Sequence, residues 1–185
     1  MSVADLRPTS LLLRLALGLA VLAPAAAVFT PMAEAAAGAS AGAAAPEFTL
    51  RDLAGKPVTL SSLKGKVVLV NFWATWCGPC QVEMTHLQKM YSELGAQGFV
   101  ILGISADDAR STSMVKPLVQ SKGLSYPILL DTQKVAVNAY NPGGVLPYSA
   151  LVGKDGRIIT TFTGYEPGDE VKVRDAVVKA LAVTP

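Results

Sequence analysis

Two cysteines three positions apart constrain this chain more than any other feature. Cys77 and Cys80 are the only cysteines in the sequence, so the chain is neither a scaffold of several disulfides nor the carrier of a four-cysteine metal site. The pair follows an apolar run over residues 67–70 and precedes a stretch with helical periodicity. A Cys-X-X-Cys pair between a buried strand and a helix is typical of a thiol–disulfide redox site.

The first 35 residues have the composition of an export signal. Arg7 and Arg14 precede or border an apolar run over residues 15–29, and Ala33-Glu34-Ala35 offers a signal peptidase a small-residue cleavage site. The run is shorter than the roughly 20 residues that span a bilayer. We therefore predict a cleaved signal peptide in residues 1–35, with an uncleaved membrane anchor as the alternative. Both predict a periplasmic or other extracytoplasmic location.

A stretch rich in Ala, Gly and Ser follows the signal. Residues 36–46 have no large side chain to bury, so their composition predicts a flexible linker. Residues 47–185 are predicted to form one domain, which is long enough to bury a core without disulfide staples. The net charge of the chain is +2 and its basic residues are scattered, so we expect no nucleic-acid partner. We expect a monomer.

The hydrophobic pattern of the domain predicts strands that alternate with helices. Residues 48–50 and 58–60 flank a turn with Gly55, which indicates a β-hairpin. Further strands are predicted at residues 66–72, 99–104, 127–130, 148–152 and 157–162, and helices at residues 79–94, 111–122, 132–140 and 170–181. The apolar side of the last helix is predicted to comprise Val171, Val173, Val177, Val178 and Leu181. This order indicates an α/β fold with a mixed central sheet and flanking helices.

The place of Cys77 just ahead of a helix favours its thiolate. Pro79 stands in the first helical turn, where unpaired N–H groups and the helix dipole stabilise negative charge. Cys80 lies one turn further on and could resolve a mixed disulfide. An inert disulfide is one alternative, although so short a loop restrains little chain entropy. A metal site is another, but His86 is the only histidine and falls on the polar side of the helix. We expect no metal and no cofactor.

Residues 48–80 resemble a known family. The sequence from Leu63 through Trp73-Ala74-Thr75-Trp76-Cys77-Gly78-Pro79-Cys80 is similar to the TlpA/ResA-like branch of the thioredoxin superfamily, and the similarity covers residues 47–182. Members of this branch are exported thiol–disulfide oxidoreductases. The resemblance implies a thioredoxin-like fold with an added N-terminal β-hairpin. It also implies a Cys77–Cys80 disulfide, with Cys77 as the exposed nucleophile and Cys80 as the resolving thiol.

The resemblance also implies a surface that binds clients. Pro147 occupies the place of the family's cis-proline, which faces the cysteines and keeps metals off the thiols. The cis bond leaves the backbone of Leu146 free to pair with a bound peptide. Only about one X-Pro bond in twenty is cis, so a trans proline at the start of a strand is the alternative. We expect Trp76 to be partly exposed as an apolar rim, and Trp73 to pack in the core.

A carboxyl group beneath the dithiol is the remaining site residue. Asn71 occupies the position of the buried aspartate of thioredoxin, and it cannot exchange a proton. Glu83, one helical turn beyond Cys80, is the substitute that the resemblance implies, relaying the proton of the resolving cysteine. The alternative is a solvated glutamate in a first helical turn, where the dipole also favours an acid.

We consider three functions. The leading hypothesis is a dithiol reductant of protein disulfides of the cytochrome c maturation type, because Gly-Pro between the cysteines matches thioredoxin. Its partners would be a membrane-embedded electron donor and client proteins with disulfides. Apocytochrome c is one candidate client. A disulfide-forming oxidant is the second hypothesis. A non-enzymatic copper chaperone is the third, although the Cys-X-X-X-Cys spacing and the distal histidine that it would need are absent.

Overall fold

The structure is a computed structural model that describes residues 39–183. The predicted signal or anchor at residues 1–35, and residues 36–38 of the predicted linker, lie outside the described residues. Within them, no helix is long and apolar enough to cross a membrane.

The elements follow the predicted order closely. The strands are β1 (Thr49–Asp52), β2 (Pro57–Thr59), β3 (Val67–Trp73), β4 (Phe99–Ser105), β5 (Ile128–Leu130), β6 (Tyr148–Val152) and β7 (Ile158–Thr163). The helices are α1 (Gly78–Leu94), α2 (Val115–Ser121), α3 (Val135–Tyr140) and α4 (Asp169–Ala182). Short 3₁₀ turns occur at Leu60–Leu63, Gly95–Gln97 and Thr112–Met114. Pro117 stands in the first turn of α2, where a missing N–H costs nothing.

The described strands form one mixed sheet in the order β2-β1-β5-β4-β3-β6-β7. Strands β3, β4 and β5 run parallel, whereas β6 is antiparallel to β3 and β7 is antiparallel to β6. The hairpin of β1 and β2 joins the sheet through antiparallel pairing of β1 with β5. This is the predicted α/β architecture, with the hairpin added at one edge.

Two hydrophobic cores cover the two faces of the sheet. Because side chains alternate along a strand, β3 sends Leu69 and Trp73 into one core and Val70 and Phe72 into the other. The first core is closed by α1, α2 and α4, and the second by α3 and the 3₁₀ turn with Leu60. Every residue of β3 is buried. A strand covered on both faces reads as a continuous apolar run, which is how it was predicted.

The buried face of α4 differs from the predicted one. Val173, Val177 and Ala180 are buried, at spacings of four and three residues that form one stripe along the helix. Val171 and Val178, which were predicted on the apolar side, lie off this stripe and are exposed. The prediction was wrong for these two because valine content alone did not fix the phase of the helix.

The described part of the predicted linker lies against the domain. Ala39 N–H donates to the carbonyl of Tyr140, and Gly42 N–H donates to the carbonyl of Ile158. Ile158 N–H donates in return to the carbonyl of Ala43, at the outer edge of β7. The composition missed this contact because backbone groups make it, and small side chains do not hinder the approach of two backbones.

Candidate redox site

The cysteine pair lies at the N-terminus of α1 and forms a disulfide. The two sulfurs are 2.00 Å apart. Cys77 is the N-cap residue of the helix, and its Sγ accepts a hydrogen bond from the backbone N–H of Cys80 at 3.3 Å. Cys77 retains 5% exposure in this disulfide form and Cys80 retains none. Cys77 is therefore less exposed than the resemblance implied, but it is the only member of the pair in contact with solvent.

The loop between β3 and α1 is held by residues that the sequence did not single out. Thr75 donates through its N–H and its hydroxyl to the carboxylate of Asp107, which follows β4. Its carbonyl accepts from the side chain of Gln81 on α1. Ser105 also donates to Asp107. No local spacing marks Asp107 as a partner of Thr75, because 32 positions separate the two.

Glu83 is buried and is not a solvated surface acid. It faces inward from α1 with 4% exposure, and Asn71 Nδ2 donates to its Oε2 at 2.9 Å. The same Nδ2 donates to Ser149 Oγ on β6 at 3.0 Å. Burial raises the pKa of Glu83 from 4.5 to about 7, against the opposite effect of the Asn71 hydrogen bond and with a further rise from the charge of Asp169.

A small cavity of about 150 Å³ reaches Glu83 from the side of α4. Its walls come from α1, from the end of β7 and from the first turn of α4, and they include Leu87, Phe162, Tyr165, Asp169 and Val173. Tyr165 donates to Glu170 at 2.8 Å, and Asp169 binds Lys172. The carboxyl group is therefore buried but borders a space large enough for water.

Three buried polar atoms have no hydrogen-bond partner within residues 39–183: Asn71 Oδ1, Trp73 Nε1 and the hydroxyl oxygen of Tyr126. Burial and the charge of Glu83 both raise the pKa of Tyr126, so its phenol stays protonated. Gly103 on β4 allows the rings to come close, because a Cβ there would lie 2.9 Å from the Tyr126 ring and 3.4 Å from Trp73 Nε1. Tyr126 had no signal in the sequence that linked it to Glu83.

Trp76, Leu146 and Pro147 are the residues that were predicted to bind clients. The Leu146–Pro147 bond is cis. Within residues 39–183, neither backbone polar group of Leu146 is hydrogen-bonded, whereas the Pro147 carbonyl accepts from the N–H of Gly164. Trp76 is 69% exposed and Trp73 is fully buried.

His86, the residue weighed as a metal ligand, has its Nδ1 3.9 Å from Glu170 Oε1. In the described part of the chain, no three His, Cys, Asp or Glu side chains cluster as a metal site would require.

Comparison with known proteins decides the family. The family described as Redoxin matches residues 40–178 of this chain. The chain belongs to the redoxin family. Among its relatives is the thiol–disulfide oxidoreductase ResA of Bacillus thuringiensis (strain Al Hakam), 35% identical over 131 residues that cover 71% of this chain and 74% of the relative. ResA of Halalkalibacterium halodurans is 39% identical over 128 residues, 68% of this chain and 70% of the relative.

Solved structures agree with this assignment. A thiol:disulfide interchange protein of the thioredoxin family from Chlorobium tepidum superposes with a TM-score of 0.65 at 29% identity, covering 79% of this chain and 100% of that protein. The thioredoxin domain of a thiol–disulfide oxidoreductase from Bacteroides vulgatus gives a TM-score of 0.64 at 30% identity, covering 76% and 96%. Two predictions from the sequence are therefore confirmed: the thioredoxin-like fold, and the assignment of the chain as a ResA-like thiol–disulfide oxidoreductase.

The buried Glu83 makes the stability of the oxidised protein depend on pH. Its pKa is higher in the folded than in the unfolded chain, so its contribution is complete below pH 4.5 and is lost as the pH rises through about 7. Relative to Glu83→Gln, the wild type should lose on the order of 3 kcal/mol of unfolding free energy between pH 4 and pH 8. Urea denaturation of the disulfide forms measures this without any titrating thiol. Parallel curves for the two proteins would place the pKa of Glu83 in the ordinary range.

Proposed function

We propose that this protein is an exported oxidoreductase that reduces disulfides in client proteins with the Cys77-Gly-Pro-Cys80 pair. The observation that carries the proposal is the disulfide at the N-terminus of α1, in which Cys77 alone meets solvent and lies next to the exposed Trp76. The relationship to proteins described as thiol–disulfide oxidoreductases supports it.

The proposed reaction transfers two electrons in two exchanges. In the reduced protein, the thiolate of Cys77 attacks one sulfur of the client disulfide, and the other client sulfur leaves as a thiolate that takes up a proton. Cys80 then loses its proton and attacks the Cys77 sulfur. This step forms the Cys77–Cys80 disulfide and releases the second client sulfur as a thiol. The client gains two electrons from the two cysteines and takes up two protons, one of which replaces the proton that Cys80 loses and the other the proton that Cys77 gave to solvent when it became a thiolate.

The position of Cys77 supports its role as the attacking thiol. Its sulfur lies at the N-terminal end of α1, where a backbone N–H already points at it. Unpaired N–H groups and the helix dipole stabilise a thiolate there, which lowers the pKa of such a cysteine. Cys80 is inside the helix and has no exposure, so it suits the second, intramolecular exchange.

The assignment of the two cysteines predicts an asymmetric trap. Cys80→Ser should accumulate a mixed disulfide with a client, because the first exchange proceeds and the second has no thiol. Cys77→Ser should accumulate at least tenfold less. Non-reducing gels and mass spectrometry of each variant, mixed with a peptide that contains a disulfide, measure the adducts. Equal trapping by both variants would remove Cys77 from the attacking role.

We propose Trp76, Leu146 and Pro147 as the client-binding surface. An extended client segment could pair with the free backbone groups of Leu146, while the Trp76 indole packs on its apolar side chains. Neither contact requires a particular client sequence. This surface suits a protein that meets cysteines in extended segments of different clients.

We propose Glu83 as the group that accepts the proton of Cys80 before the second exchange. It lies one helical turn beyond Cys80, and Asn71 fixes its carboxyl. Because burial raises the pKa of Glu83 to about 7, the group can both accept and release a proton near neutral pH. The adjacent cavity offers a route by which that proton could reach water.

The role of Glu83 predicts an altered pH profile. Glu83→Gln keeps the shape of the side chain and abolishes its titration, so release of the client from the mixed disulfide should slow by on the order of 100-fold at pH 7. The slowing should decrease above pH 9, where the thiol of Cys80 ionises without help. Single-turnover release of a reduced fluorescent peptide between pH 5 and pH 10.5 measures both effects. The pH profile of client release reports on the two thiols and Glu83 as one coupled set, and not on any one of these residues. Superimposable profiles would leave Glu83 without a part in the reaction.

The direction of electron flow is a separate part of the proposal. Gly-Pro between the cysteines, as in thioredoxin, supports a reductant. A reductant in an oxidising compartment must be reduced again, and a membrane-embedded donor would supply the electrons. The N-terminal sequence, with its basic start, apolar run and Ala-X-Ala, supports export. The TlpA/ResA-like resemblance supports cytochrome c maturation as the process, with apocytochrome c as a client.

A measured redox potential separates this direction from the alternative of a disulfide-forming oxidant. We expect a value near that of thioredoxin, about −270 mV, in equilibrium with a dithiol buffer at pH 7. Strong disulfide-forming oxidants lie near about −120 mV. A value less negative than about −180 mV would favour the oxidant.

A further inference from the structure

Every backbone and side-chain polar group of Thr75 is hydrogen-bonded. Its N–H donates to Asp107 Oδ2 at 3.0 Å and its hydroxyl donates to Asp107 Oδ1 at 2.6 Å. Its carbonyl accepts from Gln81 Nε2 at 2.8 Å. Thr75 directly precedes Trp76 and stands two residues before Cys77, so these bonds fix the backbone from which both side chains extend.

Asp107 is an acidic residue in a buried position after β4. The residue is 1% exposed, and its carboxylate accepts a third hydrogen bond from Ser105 Oγ at 2.9 Å. Removing a carboxylate from water is costly unless donors surround it, and hydrogen bonds to a charged acceptor are stronger and more directional than neutral ones. Two of the three hydrogen bonds that this carboxylate accepts come from Thr75, one from its N–H and one from its hydroxyl. The carboxylate therefore connects the end of β4 firmly to the loop before the disulfide.

A groove of about 420 Å³ lies next to this connection. Trp76 lines one side, and Ala106, Asp108, Arg110 and Ser111, from the segment that follows β4, line another. Asp107 belongs to that segment and binds the residue before Trp76, so it ties the two walls together. Without it, the indole and the opposite wall could move apart while the disulfide stayed at the end of α1.

We propose that Asp107 is a positioning residue for the client. By holding Thr75, it fixes Trp76 and the groove beside it in the arrangement that presents an extended client segment to Cys77. The inference rests on the proposed function and concerns the binding of the client, not the chemistry at the sulfurs.

Two simpler roles make different predictions. If Asp107 serves stability alone, its variants unfold more easily, but the folded fraction reacts at the wild-type rate. If its negative charge acts on the thiols, removing the charge shifts the pH at which Cys77 reacts, and a variant that keeps the charge has no effect. A positioning role predicts slower reaction with large disulfides, whether the charge or its partner is removed.

Four variants separate these roles. Asp107→Asn removes the charge and one acceptor. Thr75→Val removes the hydroxyl donor and leaves the carboxylate and the backbone N–H of residue 75 in place. Thr75→Ser restores the hydroxyl. Asp52→Asn is the matched control, because Asp52 accepts two backbone N–H bonds in the hairpin turn and does not contact the site. Each variant is assayed in its reduced form, under conditions where circular dichroism shows it to be folded.

The rates are measured with two probes, a peptide disulfide of about ten residues and the small aromatic disulfide 5,5′-dithiobis(2-nitrobenzoic acid). Thr75→Val and Asp107→Asn should slow reaction with the peptide at least tenfold, and with the small disulfide less than threefold. Thr75→Ser and Asp52→Asn should stay within twofold of the wild type for both. The pH profile of Cys77 alkylation should be unchanged in Thr75→Val.

Equal slowing with both probes, or wild-type rates in Thr75→Val, would overturn the positioning role. An effect confined to Asp107→Asn together with a shifted alkylation profile would assign the residue to electrostatics. Failure of the wild type to react with any peptide disulfide would refute the proposed function instead. The connection itself is still judged in that case, because exchange of the Thr75 amide hydrogen should be slow in the wild type and faster by at least tenfold in Asp107→Asn. Equal exchange would refute it too.

Discussion

The burial of strand β3 on both faces is the constraint on which the site depends. All residues of Val67–Trp73 are buried, and the strand is paired along its length with β4 on one side and with β6 on the other. A strand held in this way cannot shift its register without exposing one core or the other. Its carboxyl end therefore gives a fixed origin for the loop and for α1. The cysteines, Asp107 at the end of β4 and Ser149 on β6 all take their positions from this strand.

The local parts of the structure could be predicted from the sequence. Three features depend only on neighbouring residues: the cysteine spacing, the continuous apolar run of β3 and the periodicity of α1. The sequence therefore predicts them. The family resemblance implied Glu83 as a carboxyl group beneath the dithiol, and Glu83 is buried. The groups that surround it could not be predicted, because β7, α4 and the amide of Asn71 reach it from other parts of the chain.

The parts that the sequence did not indicate are contacts between distant segments. Asp107 lies 32 positions from Thr75, and nothing in the residues around either one shows that they meet. Tyr126 comes close to Trp73 only because Gly103 leaves room on the neighbouring strand. Composition misled in the Ala-rich stretch, since it describes which side chains can be buried and is silent on where backbone N–H and C=O groups find partners.

The contact between residues 42–43 and Ile158 has a consequence for the sheet as a whole. Strand β7 is an edge strand, and an edge with unpaired backbone groups can accept a strand from another molecule. The Ala-rich segment occupies one end of that edge through two backbone hydrogen bonds. These backbone groups of β7 are therefore not free to pair with a strand of another copy of the protein. A chain that begins at residue 46 would keep every residue of the redox site. It would lose the two hydrogen bonds that cover this end of β7, and the exposed strand edge could then lead to aggregation.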